Sequence, residues 1–367
     1  MLEIRALPAR QGDAIWIRWG AAGETHQMMI DMGTEGSGKR LRDRFTALPE
    51  AQRKLDLLVI THVDADHIGG VLTCLAEAEP LPGFDVDDIW FNGFVHLSDG
   101  RVSTTENLEP MGPAQGERVS NWLKKQRWNR AFDGRRVCRE VEEPLQTVTL
   151  PDNLRLTVLG PTPGRLSNFI DTWEAEVHEA IEMGSVDPQI VAPGLELMGS
   201  GNAPILTNED DLLTLAQSRD NEFDHGKPNG TSITLLLEYE NRKLILAGDA
   251  FSPDLVEAIK TVSPRERLHL DVFKLPHHGS RNNVHRDLVE AVDCDRWLIS
   301  TDGTTFKHPD PEAIARIIKF STQPNPRLSF NVPSTFNQWW AKPAWKVRFE
   351  YETEYGTAED GWSWMFE

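Results

Sequence analysis

Short runs that alternate apolar and polar positions fill the first sixty residues: LEIRALP, DAIWIRW and HQMMIDMG. Turn residues separate them, at Gln11-Gly12-Asp13 and Ala22-Gly23-Glu24, so the pattern predicts strands joined as hairpins. A basic amphipathic stretch, KRLRDRFTALPEAQR, leads into the apolar run LDLLVI, which has a strand's composition. The period then lengthens. IGGVLTCLAEAE reads as a helix that starts near Asp66 or His67, where an aspartate suits the N-cap and the helix dipole. A strand is expected at DDIWFNGFV, a helix over AQGERVSNWLKKQRWNR and a strand in NLRLTVLG. TSITLLLEYENRKLILAGD predicts a hairpin turning at Glu240-Asn241. The helix SPDLVEAIKTV, strand LDVFKLP, helix DLVEAV, strand RWLIST and helix DPEAIARIIKF follow.

Two segments break this rhythm. Residues 165–228 are acidic, poor in β-branched runs and interrupted by Gly and Pro. They predict a partly helical insertion over the core, a lid that covers one side of its pocket, since long patternless segments between core strands are usually functional or mobile. Residues 321–367 are rich in Pro and hold five of the twelve tryptophans. They predict an extension packed on the domain, and such a surface also suits a protein partner. Residues 1–320 read as one α+β domain.

Bulk properties narrow the function classes. With 367 residues, 39% hydrophobic and 26% charged, the chain is long enough for a sizeable core. A net charge of -19 repels nucleic acid and anionic lipid at long range, although bound metal can reverse the local field. Cys74, Cys138 and Cys294 form no CxxC, which argues against a disulfide framework or a cysteine zinc site. No apolar run approaches membrane-spanning length and no signal-peptide pattern opens the chain, so a cytoplasmic protein with no membrane contact is expected.

The chemistry concentrates in THVDADHIGG, residues 61–70. His62 and Asp64 lie two apart and share a face of an extended chain. Asp66 and His67 open the helix and reach the same space. Imidazole nitrogen and carboxylate oxygen are the donors expected for Zn²⁺, Mn²⁺ or Fe²⁺. A surface turn that merely caps a helix is the plainer alternative. Three further stretches carry the same residue types behind strands: LILAGD with Asp249, LPHHGS with His277 and His278, and FKHPDPEAI with His308.

In this order the motifs resemble the metallo-β-lactamase superfamily, in an HxDxDH variant, and most of all the soluble hydrolase domain of bacterial competence DNA-uptake channel proteins. The likeness covers about residues 1–95 and 229–320. It implies an αββα sandwich whose strand ends converge on a metal pocket. It implies two divalent ions, Zn or Mn, held by His62, Asp64, Asp66, His67, Asp249 and His308, with Asp249 bridging. Asp66, His277 and His278 are the implied catalytic residues, one of the two histidines contacting a metal or the scissile group. The third ligand of the first metal is open, with Asn229 of NGTS or His225 as candidates. A carboxylate at Asp64 makes the site harder and tilts it toward Mn²⁺.

Such a site implies hydrolysis by water activated between two metals, on phosphodiester bonds, as a phosphodiesterase or nuclease. The alternatives are hydrolysis of a small phosphoester or a carboxylic ester or amide, or a partner-binding regulatory module on a metallo-hydrolase fold. Nucleic acid enters through KKQRWNRAFDGRRVCR, whose seven basic side chains interleave with Trp128 and Phe132. This stretch reads either as a solvated face beside acidic neighbours or as a phosphate-tracking stripe with bases stacked on the rings.

Overall fold

The computed structural model describes residues 1–21, 25–97, 115–182, 198–199 and 201–366, with backbone alone over 174–182. The expected turn at Ala22-Gly23-Glu24 and residues 183–197 and 200 of the expected insertion lie outside the described residues.

Alternation sorts the side chains of each strand between two cores. In the hairpin Thr234–Tyr239 and Arg242–Leu246, Leu235, Leu237, Leu244 and Leu246 face one apolar cluster, and Leu236 and Ile245 face another. Ile15, Ile17 and Trp19 join the first of these clusters, whereas Trp16 turns the other way onto Phe45. The shared cluster is therefore the layer between two sheets, and the outer clusters lie under helices. The result is an αββα sandwich of mixed sheets.

One sheet runs, in spatial order, Trp362–Phe366, Leu2–Ala6, Ile15–Trp19, His26–Ile30, Leu57–Val59 and Ile89–Trp90. The other runs Glu352–Tyr355, Arg327–Phe330, Arg296–Ile299, Val272–Lys274, Arg242–Leu246, Thr234–Tyr239, Arg155–Gly160 and Thr147–Thr149. Parallel pairing of Leu57–Val59 with His26–Ile30, and of Val272–Lys274 with both Arg242–Leu246 and Arg296–Ile299, brings several strand C-termini to one edge.

Several elements differ from the sequence pattern. The strand expected at LDVFKLP is Val272–Lys274 alone, and the Leu270 before it ends a separate strand, Leu268–Leu270, in a different sheet. Between them Asp271 turns its carboxylate to Arg242 Nη1 at 3.0 Å and the Lys243 amide at 2.8 Å, and this breaks the strand. The segment 321–367 contributes strands to both sheets, Trp362–Phe366 pairing with Leu2–Ala6 and Glu352–Tyr355 with Arg327–Phe330. Among the described residues no helix is long and apolar enough to cross a membrane.

Candidate metal centre

The strand Leu57–Val59 ends at THVDADHIGG, and the helix Ala65–Val71 begins at once with Asp64 as its extended N-cap residue. This turn is wedged tightly. A Cβ on Gly12 would lie 1.7 Å from the Asp66 carbonyl oxygen, and one on Gly70 2.0 Å from that of Met32. Only glycine permits such approach, so the QGD turn is locked against the motif.

The imidazoles are fixed from behind. His67 Nδ1 lies 2.7 Å from Asp31 Oδ2, and Asp31 also accepts the Thr61 amide and hydroxyl, each at 2.7 Å. The Thr61 hydroxyl proton is thus spent on Asp31, and its oxygen accepts from His62 Nδ1 at 2.9 Å. His278 Nδ1 faces the Ser300 carbonyl at 2.8 Å, a group that only accepts. His277 Nδ1 faces Asp224 Oδ2 at 3.1 Å and Asn283 Oδ1 at 3.0 Å. These partners assign the proton to Nδ1 in all four rings and turn four Nε2 lone pairs inward. They converge on a single atom, Asp249 Oδ2, at 3.3 Å from His67, 3.5 Å from His278 and 3.9 Å from both His62 and His277.

Two carboxylates of the motif complete the group. Asp64 Oδ2 is 3.4 Å from His62 Nε2, and Asp66 Oδ2 is 3.5 Å from His278 Nε2. His67 Nε2 and His278 Nε2 stand 3.3 Å apart. Lone pairs do not face one another at that distance beside a carboxylate unless a positive charge joins them. Burial pulls the His67 imidazolium down, yet Asp249, Asp31 and Asp66 outweigh it and raise its pKa well above the usual value. His278 is raised in the same way by Asp249 and Asp13. Asp249, which burial would raise, is held well below the carboxylate range by His67, His278 and His277. His62 Nε2 and Asp249 Oδ1 are buried without a hydrogen-bond partner. A divalent cation fits this donor set, replacing the protons that the same charges otherwise attract.

The other expected residues fall around this group. His308 meets it through His277, ring centroids 5.5 Å apart, with its Nδ1 3.5 Å from Asp310 Oδ2. His225 is exposed. The Asn229 amide donates to Asp224 Oδ2 at 2.8 Å, and Ser232 Oγ accepts from the Asp249 amide at 3.1 Å. The basic stretch offers less to a base than its composition suggests. Phe132 is 2% exposed, Trp128 Nε1 donates to the Phe91 carbonyl, and Arg127 and Arg139 pair with Asp85 and Glu257.

Residues 7–303 match the family model of the metallo-beta-lactamase superfamily. The chain belongs to that superfamily. Among solved structures it is similar to the metallo-beta-lactamase fold protein YhfI from Bacillus subtilis, with 12% identity, a TM-score of 0.41 and coverage of 99% of this chain and 98% of that one. It is also similar to CmlA, a diiron beta-hydroxylase from Streptomyces venezuelae, with 12% identity, a TM-score of 0.37 and coverage of 86% and 48%. A third is Zn²⁺-bound PqqB from Methylobacterium extorquens, with 12% identity, a TM-score of 0.37 and coverage of 96% and 87%. A comparison with curated proteins gives no match.

For a metallo-β-lactamase superfamily member, four supporting residues of this centre escape the sequence pattern: Asp13, Asp31, Asp224 and Lys274. Ligand-type atoms of Asp13, His67, Asp249 and His278 all lie within 4.8 Å of one another. Asp13, however, faces the Nδ1 side of His278, at 3.5 Å, behind the converging Nε2 atoms. Asp13 and Asp31 sit in the hairpin stretches QGDAIW and MMIDMG, where an acid beside a turn is the available signal. Asp224 belongs to the patternless insertion and Lys274 to an apolar strand, and neither carries a local signal.

Proposed function

We propose that this chain is a metal-dependent hydrolase of phosphodiester bonds. The observation that carries the reading is the convergence of four Nδ1-anchored imidazoles on Asp249 Oδ2, flanked by the carboxylates of Asp64 and Asp66. His62, Asp64, Asp66, His67, His278 and Asp249 would hold two divalent ions, Zn²⁺ or Mn²⁺, which would lower the pKa of water and polarise the scissile bond. The carboxylate share of this set favours hard ions and hard substrate oxygens, hence phosphate over a β-lactam. His277 is assigned to the proton. Its Nδ1–H stays on Asp224, itself brought down to about 2 against the penalty of burial by His277 and the neighbouring amide donors. Its Nε2 lone pair then takes a proton from solvent, and the imidazolium so formed passes that proton to the leaving oxygen. Resemblance to the competence-protein hydrolase domain supports a nucleic-acid phosphodiester. The buried Phe132 argues against base stacking as the means of recognition.

The test is metal analysis of the purified protein, followed by apo-protein refilled with Zn²⁺ or Mn²⁺. Single-stranded DNA, duplex DNA, RNA, bis-p-nitrophenyl phosphate, p-nitrophenyl phosphate and p-nitrophenyl acetate are then offered to it. Turnover of phosphodiesters above the other two classes is expected. Turnover of the monoester or the acetate alone would replace the substrate class. A protein that binds no divalent metal would overturn the reading altogether.

A further inference from the structure

A lysine lies inside this acidic and imidazole-rich centre. Lys274 ends the strand Val272–Lys274, its side chain is 2% exposed, and its ammonium makes a buried ion pair with Asp13. Nζ also donates to the Gly248 carbonyl at 3.0 Å and stands 3.9 Å from Asp249 Oδ1. The same Gly248 carbonyl accepts the His277 amide at 3.1 Å. One carbonyl thus joins the strand end that carries Asp249 to the one that carries the two histidines, and Lys274 clamps the joint. Asp249 is turned so that Oδ2 meets the four Nε2 atoms while Oδ1, with no hydrogen-bond partner, faces the ammonium.

Burying an ammonium is costly unless its geometry and partners compensate, and Lys274 is no donor to a cation. We infer that Lys274, held by Asp13, is a positioning residue for Asp249: it fixes the Gly248 carbonyl by a hydrogen bond and draws the outer carboxylate oxygen toward its charge, so that the inner oxygen is presented to the metal. This rests on the reading of the centre as a metal site.

The sign of one measurement separates positioning from simple charge. Removing a cation next to a divalent-metal site tightens metal binding on Coulomb grounds alone. Losing a positioning contact weakens it, typically by about 10- to 100-fold. Apo-protein is titrated with Zn²⁺ and with Mn²⁺ against a chromophoric chelator, for wild type, Lys274→Met and the charge-balanced Asp13→Asn/Lys274→Met. Folding is followed by circular dichroism. Binding weakened at least about tenfold in a folded variant is expected. Unchanged or tighter binding in either folded variant overturns the inference. Should Lys274→Met not fold, the double variant, which removes both buried charges together, decides. If neither folds, the pair serves the fold rather than Asp249, and the inference is also overturned. A wild type that binds no metal instead defeats the metal reading itself.

Discussion

At the scale of single residues, binding and chemistry separate. Asp249 receives all four imidazoles, so Asp249→Ala should lose metal and phosphodiester turnover together. His278 shares the inner space with His67, and His278→Ala should also lose metal. His277→Ala should keep metal and lose turnover by roughly 10²- to 10⁴-fold, the range of general acid–base groups. Metal analysis and kinetics on one set of preparations check this, and metal loss in His277→Ala would make it a ligand instead. The apo-protein has its own pH signature. His67 and His278 have raised folded pKa values, so their contribution to stability is full below the unfolded imidazole value of about 6.5 and is lost as pH rises through the folded values. Apo-protein should therefore melt lower at pH 9 than at pH 6. Saturating metal should remove that difference, and calorimetry of the two forms at both pH values checks it. HxDxDH, Asp249 and the histidine pair were legible because their chemistry is packed into short motifs behind strands. Asp224 and Lys274 were not, because their roles exist only through partners about 50 and 260 positions away, His277 and Asp13.

At the scale of elements, the Trp-rich tail acts through an ion pair. Arg296, on the strand Arg296–Ile299, forks onto Glu354 at 3.0 and 3.1 Å and lies over the Trp364 ring at 3.5 Å. Glu354 also accepts from Ser329 Oγ at 2.9 Å and Trp362 Nε1 at 3.2 Å. Three neighbouring strands of one sheet are thereby fastened to the edge strand Trp362–Phe366 of the other. Burial opposes the charge on Glu354, but Arg296 and the hydroxyl and indole donors lower its pKa. That contribution is present above the ordinary glutamate value of about 4.3 and is lost as pH falls through the folded value. Glu354→Ala should cost on the order of 2–3 kcal/mol, less than a wholly buried pair because Glu354 is partly solvated. Denaturant unfolding at neutral pH measures the loss, which should shrink in acid. The sequence pattern under-read these strands because their alternation is short and is interrupted by Pro343 and Gly361, so composition stood out more than period. The central hairpin, by contrast, was plain in TSITLLLEYENRKLILAGD, where both strands carry leucine at every second place.

At the scale of the whole molecule, the described parts of the segment that broke the pattern pack on the core and bring Asp224 to His277. The helix Pro163–Glu182 is tied at its start by Arg165, bidentate on Asp254 at 2.7 and 3.0 Å. Further on, Trp173 donates to Glu117 at 2.8 Å and packs against Phe94 and Phe169. A Cβ on Gly116 would meet both the Trp173 ring at 2.8 Å and Val63 Cγ1 at 3.1 Å, and Val63 stands between His62 and Asp64. Trp173 and Val63 thus both border Gly116, and we propose that Trp173 forms a wall beside the metal turn. The helix Glu209–Gln217 buries Leu212 and Ala216, and Arg316 donates to the Ala216 carbonyl at 3.0 Å. Deleting residues 165–228 outright would thus remove core contacts and Asp224 together, and the lid role is better tested by one side chain. Trp173→Ala leaves every proposed ligand and its anchoring partner in place, so metal content should not change. It opens the wall beside Val63, so the ratio of kcat/KM for a polymeric phosphodiester over bis-p-nitrophenyl phosphate should shift by about 10- to 100-fold, the scale of discrimination that apolar pocket contacts supply. An unchanged ratio at full metal content would mean that Trp173 holds the helix in place without shaping what reaches the site. A fall in metal content would mean that the wall supports the THVDADH turn itself.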